Sequence, residues 1–228
     1  MKYRKAVTFS YDDGVESDRK LVEILNRYGM KCSFNLNSGL YHDPEHCWDN
    51  HGFEVHRIAE FEPELYKGHE ICIHGSEHLW PSRLSGQELE KEFLKDKETL
   101  EQLSGQEIVG CAYAFGDYDD RTVAYLKSIG ICFSRTTKAT HNCDLQEDLL
   151  RFNPTAHHND EELFDVIDRF LGDASDQPQL LYIWGHSYEF DGLKNWDRLE
   201  EICKKLQGRA DILYGTNTEV FRNFGLIE

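Results

Sequence analysis

The sequence predicts an α/β fold: a single-domain, distorted or incomplete (β/α) barrel with seven to eight parallel strands. Short apolar runs of strand length alternate with amphipathic helical segments along almost the whole chain. Five of the helical segments end at a glycine, which readily takes the left-handed conformation that closes a helix. This alternation implies right-handed βαβ crossovers, and such units in 228 residues most simply close into a barrel. An open, doubly wound sheet is the alternative.

Eight short apolar runs have the length and composition of buried strands. They cover residues 7–9, 32–36, 70–73, 108–113, 131–133, 150–152, 180–184 and 212–214. The helices between them carry an apolar stripe and end at the glycines that follow: Gly29, Gly105, Gly130, Gly172 and Gly208. A shorter helix is predicted over 218–224.

Capping residues and loops complete the predicted element order. Ser85 and Glu88 have the spacing of a capping box, and Asn159 and Asn195 are predicted N-caps of later helices. Segments 37–61 and 136–149 are long loops. In a barrel, such insertions usually shape the mouth of the substrate site.

Composition narrows the class of protein and of partner. One domain spanning 1–228 is expected, because hydrophobic residues make up 39% of the chain and allow a sizeable core. A net charge of −17 argues against nucleic acid and anionic membrane surfaces as partners. The seven cysteines form no Cys-x-x-Cys pair, and no signal peptide or membrane-length stretch is visible. A reduced, cytoplasmic protein is therefore expected.

Metal ligands and proton carriers follow the predicted strands at their carboxyl ends, where parallel α/β folds place their active sites. Asp12 and Asp13 follow the first strand, and neighbouring side chains on an extended backbone point in different directions. His74 and His78 follow the third strand and His186 follows the seventh. Two imidazoles four residues apart can bind one cation, and Asp13 would complete a three-ligand site with an open position.

The segment from His74 to His78 also matches the His-x-x-Glu-His pattern of inverted zinc peptidases. That motif requires a helix. Gly75 and Pro81 disfavour a helix here, and a strand-like run precedes the segment, so a peptidase is disfavoured as well.

The first long loop contains a further group of possible ligands: His42, His46, Cys47, His51 and His56. A second metal site is one interpretation. A polar lid with scattered histidines is favoured, because neither a Cys-x-x-Cys pair nor a helical framework holds these side chains together.

From Thr8 to about Asn217 the sequence resembles the polysaccharide deacetylases, carbohydrate esterases of the chitooligosaccharide deacetylase type. The stretch from Thr8 to Gly14 is similar to the family's Thr-Phe-Asp-Asp-Gly motif with two residues inserted. The resemblance implies that Asp12 is the general base and Asp13 the first metal ligand. His74 and His78 match the family's His-(Ser/Thr)-x-x-His as the other ligands, with Gly75 in place of the hydroxyl residue.

Two later motifs depart from the family pattern. The segment 112–116 resembles Arg-x-Pro-Tyr-Gly, but the arginine and the prolines are replaced. The segment 181–186 resembles the late Leu-x-His motif, which implies that His186 is the general acid. We predict that Arg151 takes over the task of the missing arginine, which is to orient and charge the base, with Arg135 as second choice.

The resemblance implies a metal-dependent hydrolase that removes acetyl groups from N-acetylated or O-acetylated carbohydrate. One divalent ion is expected, Zn²⁺ first, with Co²⁺, Ni²⁺, Fe²⁺ or Mn²⁺ as alternatives. The backbone N–H of Phe115 is the predicted oxyanion donor, and Tyr113, Trp184 and Tyr188 are predicted to bind substrate together with it. Negative charge from Glu189 and Asp191 is expected to raise the pKa of His186.

Two other functions remain open at this point. One is a cytosolic hydrolase of a non-sugar linear amide on the same scaffold. The other is a catalytically silent barrel that binds carbohydrate or metal, an alternative motivated by the altered segment 112–116.

Overall fold

The structure is a computed structural model that describes residues 1–41 and 47–228. Two of the loop histidines considered above, His42 and His46, lie outside the described residues. No helix in the described ranges has both the length and the apolar character needed to cross a bilayer.

An eight-stranded sheet, curled into half of a barrel, forms the centre of the fold. Its strands are β1 (Lys5–Asp12), β2 (Cys32–Leu36), β5 (Glu70–Ile73), β6 (Gly110–Ala112), β7 (Phe133–Arg135), β8 (Ala156–His157), β9 (Gln179–Gly185) and β10 (Ile212–Tyr214). The order is β7-β6-β5-β2-β1-β9-β8, and β10 pairs with the first half of β1. The pairings between these strands are parallel, so the predicted α/β barrel is confirmed.

The segment between β7 and β9 partly closes the barrel. Phe152 forms a parallel bridge to Arg135 at the end of β7. A few residues later, the N–H of Thr155 donates to the carbonyl of Tyr182 in β9 at 2.9 Å. This single stretch of chain therefore spans the gap between the two edges of the sheet.

Most helices cover the outer face of the sheet. They are α1 (Asp18–Arg27), α2 (Gly86–Leu89), α3 (Lys95–Ser104), α4 (Asp120–Ser128), α5 (Leu163–Gly172), α6 (Tyr188–Gly192), α7 (Trp196–Leu206) and α8 (Asn217–Asn223). A π-helical segment, Glu90–Leu94, joins α2 to α3. The predicted capping box is confirmed, since the N–H of Ser85 donates to the Glu88 carboxylate at 2.7 Å.

Strand β1 is buried along its whole length and supplies the centre of the core. Phe9 and Tyr11 belong to the larger core cluster, which includes the apolar face of α1. Ala6 lies on the opposite face and packs in a second cluster with Phe221 of α8. Because strand side chains alternate with a period of two, Asp12 shares the face of Ala6 and points into the half-barrel.

Several local predictions were wrong. Residues 150–152 do not form a strand: Leu149–Arg151 is a 3₁₀ turn, and Phe152 alone bridges to β7. Asn159 does not cap a helix, because α5 begins at Leu163 and the Asn159 side chain instead accepts a hydrogen bond from Asn195 at 2.9 Å. The first long loop contains an antiparallel hairpin of β3 (Cys47–Asn50) and β4 (Phe53–His56). Its mostly exposed residues lack the apolar run that marks a buried strand.

Candidate active site and metal centre

Parallel register brings the polar strand ends together. Asp12 in β1 pairs with Asn35 in β2, and Tyr11 pairs with Gly185, the residue before His186. The N–H of His74, directly after β5, donates to the carbonyl of Leu36 at the end of β2 at 3.0 Å. The side chains that follow these strands therefore meet at one edge of the sheet.

Asp12 is buried and has two strong partners. Its Oδ1 accepts from Nδ2 of Asn35 at 2.7 Å, and its Oδ2 lies 2.5 Å from Nη2 of Arg135. The Arg135 guanidinium also lies over the Trp184 ring, 4.3 Å from its centroid. Burial by itself would raise the pKa of Asp12, but Arg135 and then His74 outweigh burial and lower it. Asp12 is therefore a carboxylate, held in place and ready to accept a proton.

The prediction that Arg151 contacts Asp12 was wrong. Arg151 lies in the 3₁₀ turn and pairs with Asp120 at 2.6 Å and with Asp148 at 2.8 Å. The arginine beside Asp12 is Arg135, the second choice. Arg135 is in register with Ala112, the position at which the resemblance places the missing arginine. The Arg135 side chain, from the neighbouring strand β7, thus passes through the space that the small side chain of Ala112 leaves free.

Asp13, His74 and His78 form a cluster whose candidate ligand atoms all lie within 4.8 Å of one another. His74 Nδ1 is 2.8 Å from the carbonyl of Ala112, which leaves Nε2 directed toward the cluster. His78 Nε2 lies 3.7 Å from Asp13 Oδ1. Burial lowers the pKa of both histidines, that of His78 to about 4, so both rings are neutral and can donate a lone pair. Two imidazoles and one carboxylate fit a zinc-class divalent cation.

Two ligands and the neighbouring Phe115 have unusual backbone conformations. Asp13 has φ 85°, His78 φ 53° and Phe115 φ 59°, values in the left-handed region. Such conformations cost about 1–3 kcal/mol each in non-glycine residues and concentrate at functional sites. The surrounding hydrogen bonds must therefore hold the ligand loops in place.

Gly75 replaces the hydroxyl residue of the family motif for a steric reason. Its φ is +84°, and a Cβ atom at this position would collide with the Glu92 carboxylate. Glu92 accepts hydrogen bonds from the N–H groups of Leu79 at 2.8 Å and Glu77 at 3.3 Å. A carboxylate from the π-helical segment thus holds the loop that carries His78.

Arg57 is a site residue that the sequence analysis missed. It extends from the end of the β3–β4 hairpin, donates to the backbone carbonyl of Asp13, and places Nη2 3.3 Å from Asp13 Oδ1. Its Nη1 also donates to Oδ1 of Asn37 at 2.8 Å. Burial by itself would raise the pKa of Asp13. The positive charges of Arg57 and then His186 outweigh burial and hold this pKa well below its usual range. A lone arginine in a long loop carries no sequence signal for this contact.

His186, directly after β9, lies next to both Asp12 and Asp13. Its Nε2 is 3.8 Å from Asp12 Oδ2 and 3.9 Å from Asp13 Oδ2, and its Nδ1 is 3.5 Å from Glu189 Oε1. Burial lowers the pKa of His186, but Glu189 and the two aspartates raise it to about 9. The expected influence of Glu189 is confirmed. Asp191 instead bonds to Ser17 and Trp196.

The predicted substrate residues divide into exposed and buried groups. Phe115 is 49% exposed and stacks on Trp80, with ring centroids 4.1 Å apart. Trp184 and Tyr188 flank His186, with ring centroids 5.7 Å and 5.1 Å from it. Tyr113 is buried, as Trp184 and Tyr188 are, but its hydroxyl donates to the carbonyl of Leu150 at 2.8 Å, so it does not face the site.

Solved structures with a similar fold support this architecture. The Xyl-CE4 domain of a multidomain xylanase from the hindgut metagenome of Trinervitermes trinervoides aligns with a TM-score of 0.62 at 15% identity, covering 97% of this chain and 91% of that chain. A family 4 carbohydrate esterase from Streptomyces lividans, in complex with acetate, aligns with a TM-score of 0.58 at 12% identity, covering 93% of each chain.

A third structure matches over a shorter region. The deacetylase PplD of Streptococcus pyogenes, in complex with acetate, aligns with a TM-score of 0.54 at 20% identity, and the match covers 63% of this chain and 61% of that one. At these identities the likeness shows the fold. No sequence among proteins of curated function matches this chain. The family model for polysaccharide deacetylase matches residues 2–134, more than half of the 228 residues, and the chain therefore belongs to the polysaccharide deacetylase family.

Proposed function

We propose that this protein is a metal-dependent hydrolase that removes acetyl groups from N-acetylated or O-acetylated carbohydrate. One observation carries the proposal: a three-ligand cluster lies directly beside an ionised carboxylate and a protonated imidazole at the carboxyl edge of the sheet. Membership of the polysaccharide deacetylase family supports the same substrate class.

Asp13, His74 and His78 would hold the cation. The neutral imidazoles and the ionised carboxylate already converge, and His74 is fixed through its second ring nitrogen. A divalent ion bound there supplies Lewis-acid chemistry, making a water more acidic and polarising an acyl oxygen. Zn²⁺ suits this donor set best, and Co²⁺, Ni²⁺, Fe²⁺ or Mn²⁺ could replace it.

Asp12 is assigned as the general base. Its Oδ2 lies 3.9 Å from His74 Nε2, next to the ligand cluster, so it is close enough to accept a proton from an attacking water. Asn35 and Arg135 occupy its other hydrogen-bonding positions and keep the carboxylate ionised. Neither partner can accept a proton, so of these three groups only Asp12 can take the proton from water.

His186 is assigned as the general acid. Amide nitrogen is a poor leaving group until it is protonated, and a histidine with a pKa of about 9 carries its proton at neutral pH. Nε2 faces the aspartates, where the reacting acyl group would lie, and Nδ1 faces Glu189. His186 can therefore donate from Nε2 while Glu189 holds the ring.

The exposed aromatic pair is assigned to sugar binding. Trp80 and Phe115 are 40% and 49% exposed, and their rings stack within 7° of parallel. Phe115 also contacts the ligand His78, with ring centroids 4.5 Å apart. The exposed sides of this stack lie next to the ligand cluster, where they could contact the pyranose ring adjoining the acetylated residue. The N–H of Phe115 is retained as the proposed oxyanion donor.

Two further predictions from the sequence are kept as proposals. We propose that residues 1–228 act as one catalytic domain. The cytoplasmic location is also proposed; the seven cysteines are free thiols, five of them buried, which is compatible with a reducing compartment.

The test is acetate release from a panel of acetylated chito- and xylo-oligosaccharides, before and after treatment with a chelator. We expect activity that the chelator removes and that added Zn²⁺ or Co²⁺ restores. An Asp12→Asn variant, which keeps the ligand cluster, is the matched control and should be inactive while binding metal normally.

The same assay distinguishes the alternatives. Chelator-sensitive hydrolysis of linear amides without activity on sugars would indicate the non-sugar hydrolase. Metal-loaded protein that is inactive on every acetylated sugar and amide would indicate a silent barrel and overturn the proposal.

A further inference from the structure

The β3–β4 hairpin has a defined strand register and turn. Cys47 pairs with His56 and Asp49 pairs with Glu54 across the two strands. A two-residue turn joins the strands, and its residues His51 and Gly52 have φ values of 54° and 79°. Positive φ at both positions is typical of a type I′ turn, which matches the natural twist of a hairpin. The cross-strand pairs are therefore held in a single register.

The two faces of this hairpin differ sharply. On the inner face, Val55 is buried and Trp48 is half-buried, and they pack with Val15 and Tyr188 of the main body. The outer face is exposed. Because side chains alternate along a strand, it carries the residues between the inner ones: Cys47, Asp49, Glu54 and His56. The outer face thus presents four side chains of metal-ligand type.

Three of these side chains already converge. Ligand atoms of Cys47, Glu54 and His56 lie within 4.8 Å of one another, and His56 Nε2 is 2.8 Å from Glu54 Oε1. Asp49 bonds to the N–H of Gly52 at 3.2 Å and adds negative charge at the turn. The anchored inner face prevents the strands from separating, so little rearrangement is needed for the three side chains to bind one ion.

We propose that the outer face of the hairpin binds a second zinc-class divalent cation through Cys47, Glu54 and His56. A thiolate and an imidazole favour Zn²⁺ or Co²⁺ over Mg²⁺ and Ca²⁺, which prefer oxygen ligands. One ligand comes from β3 and two from β4, so the ion would link the strands. The fourth position is left to water.

An ion that links the two strands would stabilise the hairpin from which Arg57 extends to Asp13. Arg57 follows His56 directly, and its guanidinium lies over the inner-face Trp48, 5.3 Å from the ring centroid. An ion on the outer face would stabilise the hairpin without contacting Asp13, His74 or His78. The proposed site is therefore structural and separate from the reaction.

Cobalt binding distinguishes the two metal sites by their ligands. A thiolate bound to Co²⁺ produces an intense charge-transfer absorption in the near ultraviolet, whereas the Asp13–His74–His78 cluster contains no sulfur. Titrating the reduced, metal-free full chain with Co²⁺ should develop this band. It should persist in Asp13→Asn, which lacks a ligand of the catalytic cluster.

Cys47→Ser should abolish the band, and His56→Ala should weaken Co²⁺ binding at least tenfold in the same titration. Cys132→Ser is the matched control, because Cys132 is the other exposed cysteine; it should leave the band unchanged. A band that persists in Cys47→Ser, disappears in Cys132→Ser, or never forms in the parent protein would overturn the proposal. Activity on acetylated sugars does not enter the measurement, so its outcome is independent of the proposed function.

Discussion

The guanidinium of Arg135, at the end of the edge strand β7, reaches the carboxylate of Asp12 in the central strand β1, with Nη2 2.5 Å from Oδ2. Arg135 pairs in register with Ala112, so the arginine absent from segment 112–116 has a counterpart one strand further out. Both members of the pair are almost fully buried. A buried ion pair of this kind holds the base in one orientation and in its charged form.

Replacing Arg135 by Met should impair the base. Without the cation, the pKa of Asp12 rises, and because a base must be deprotonated, the acid limb of the pH profile of kcat/KM should move to higher pH. We expect about a hundredfold lower kcat/KM at neutral pH. Steady-state kinetics across the pH range measure both effects.

Arg151→Met is the matched control, since Arg151 pairs with the surface carboxylates of Asp120 and Asp148. Its pH profile should be unchanged. Because removing a buried charge can destabilise the fold by about 3–5 kcal/mol, Arg135→Lys provides a milder variant. A profile that shifts in Arg151→Met but not in either Arg135 variant would contradict the assignment.

Glu189→Gln should lower the pKa of the proposed general acid, His186. The Glu189 carboxylate helps to raise the pKa of His186 to about 9, and a general acid must carry its proton, so activity is lost as the pH rises through that value. Removing the negative charge should lower the pKa by about one unit. The alkaline limb of kcat/KM should then move to lower pH.

Asp191→Asn tests whether any nearby carboxylate would have the same effect. Asp191 is two residues further along but bonds to Ser17 and Trp196 rather than to His186. We expect the alkaline limb of the kcat/KM profile of Asp191→Asn to match that of the parent protein. Equal shifts in both variants would show that Glu189 has no specific effect on His186.

Trp80→Ala should separate sugar binding from chemistry. Loss of the stacked ring should raise KM for an acetylated oligosaccharide by about fivefold, because an aromatic contact contributes about 1 kcal/mol. The rate on a small acetyl ester, too short to reach the ring, should stay unchanged. Leu79→Ala is the control, since Leu79 is similarly exposed at 43% but is not aromatic. Unaltered KM in Trp80→Ala would exclude the aromatic pair as a sugar subsite.

Gly75→Ser would restore the hydroxyl of the family motif, yet it should destabilise this protein. The new side chain would combine left-handed backbone strain with a collision against Glu92, at a cost of about 1–3 kcal/mol in the free energy of unfolding. Urea denaturation measures the loss.

Gly105→Ala isolates the backbone contribution. Gly105 also has positive φ, +68°, but a Cβ there would meet no other atom within 4 Å in the described part of the chain. We expect a smaller loss of about 1 kcal/mol. If Gly75→Ser were as stable as the parent protein, Glu92 could not be the reason for glycine at this position.

The amino-acid sequence by itself determined the α/β class and much of the site. Alternating apolar runs predicted a parallel sheet, and residues directly after strands, such as Asp13, His74 and His186, could be assigned to one edge. These inferences succeed because strand and helix periodicities are local and because the carboxyl ends of parallel strands must meet.

Only the tertiary structure decided which long side chains complete the site. Arg135 rather than Arg151 reaches Asp12, and Arg57 reaches Asp13 from a hairpin that has no strong strand pattern. The stacking of Trp80 on Phe115 likewise joins two separate loops. Such contacts depend on strand order and on which small residues leave space between strands. That information is spread over distant parts of the chain, so no local pattern contains it.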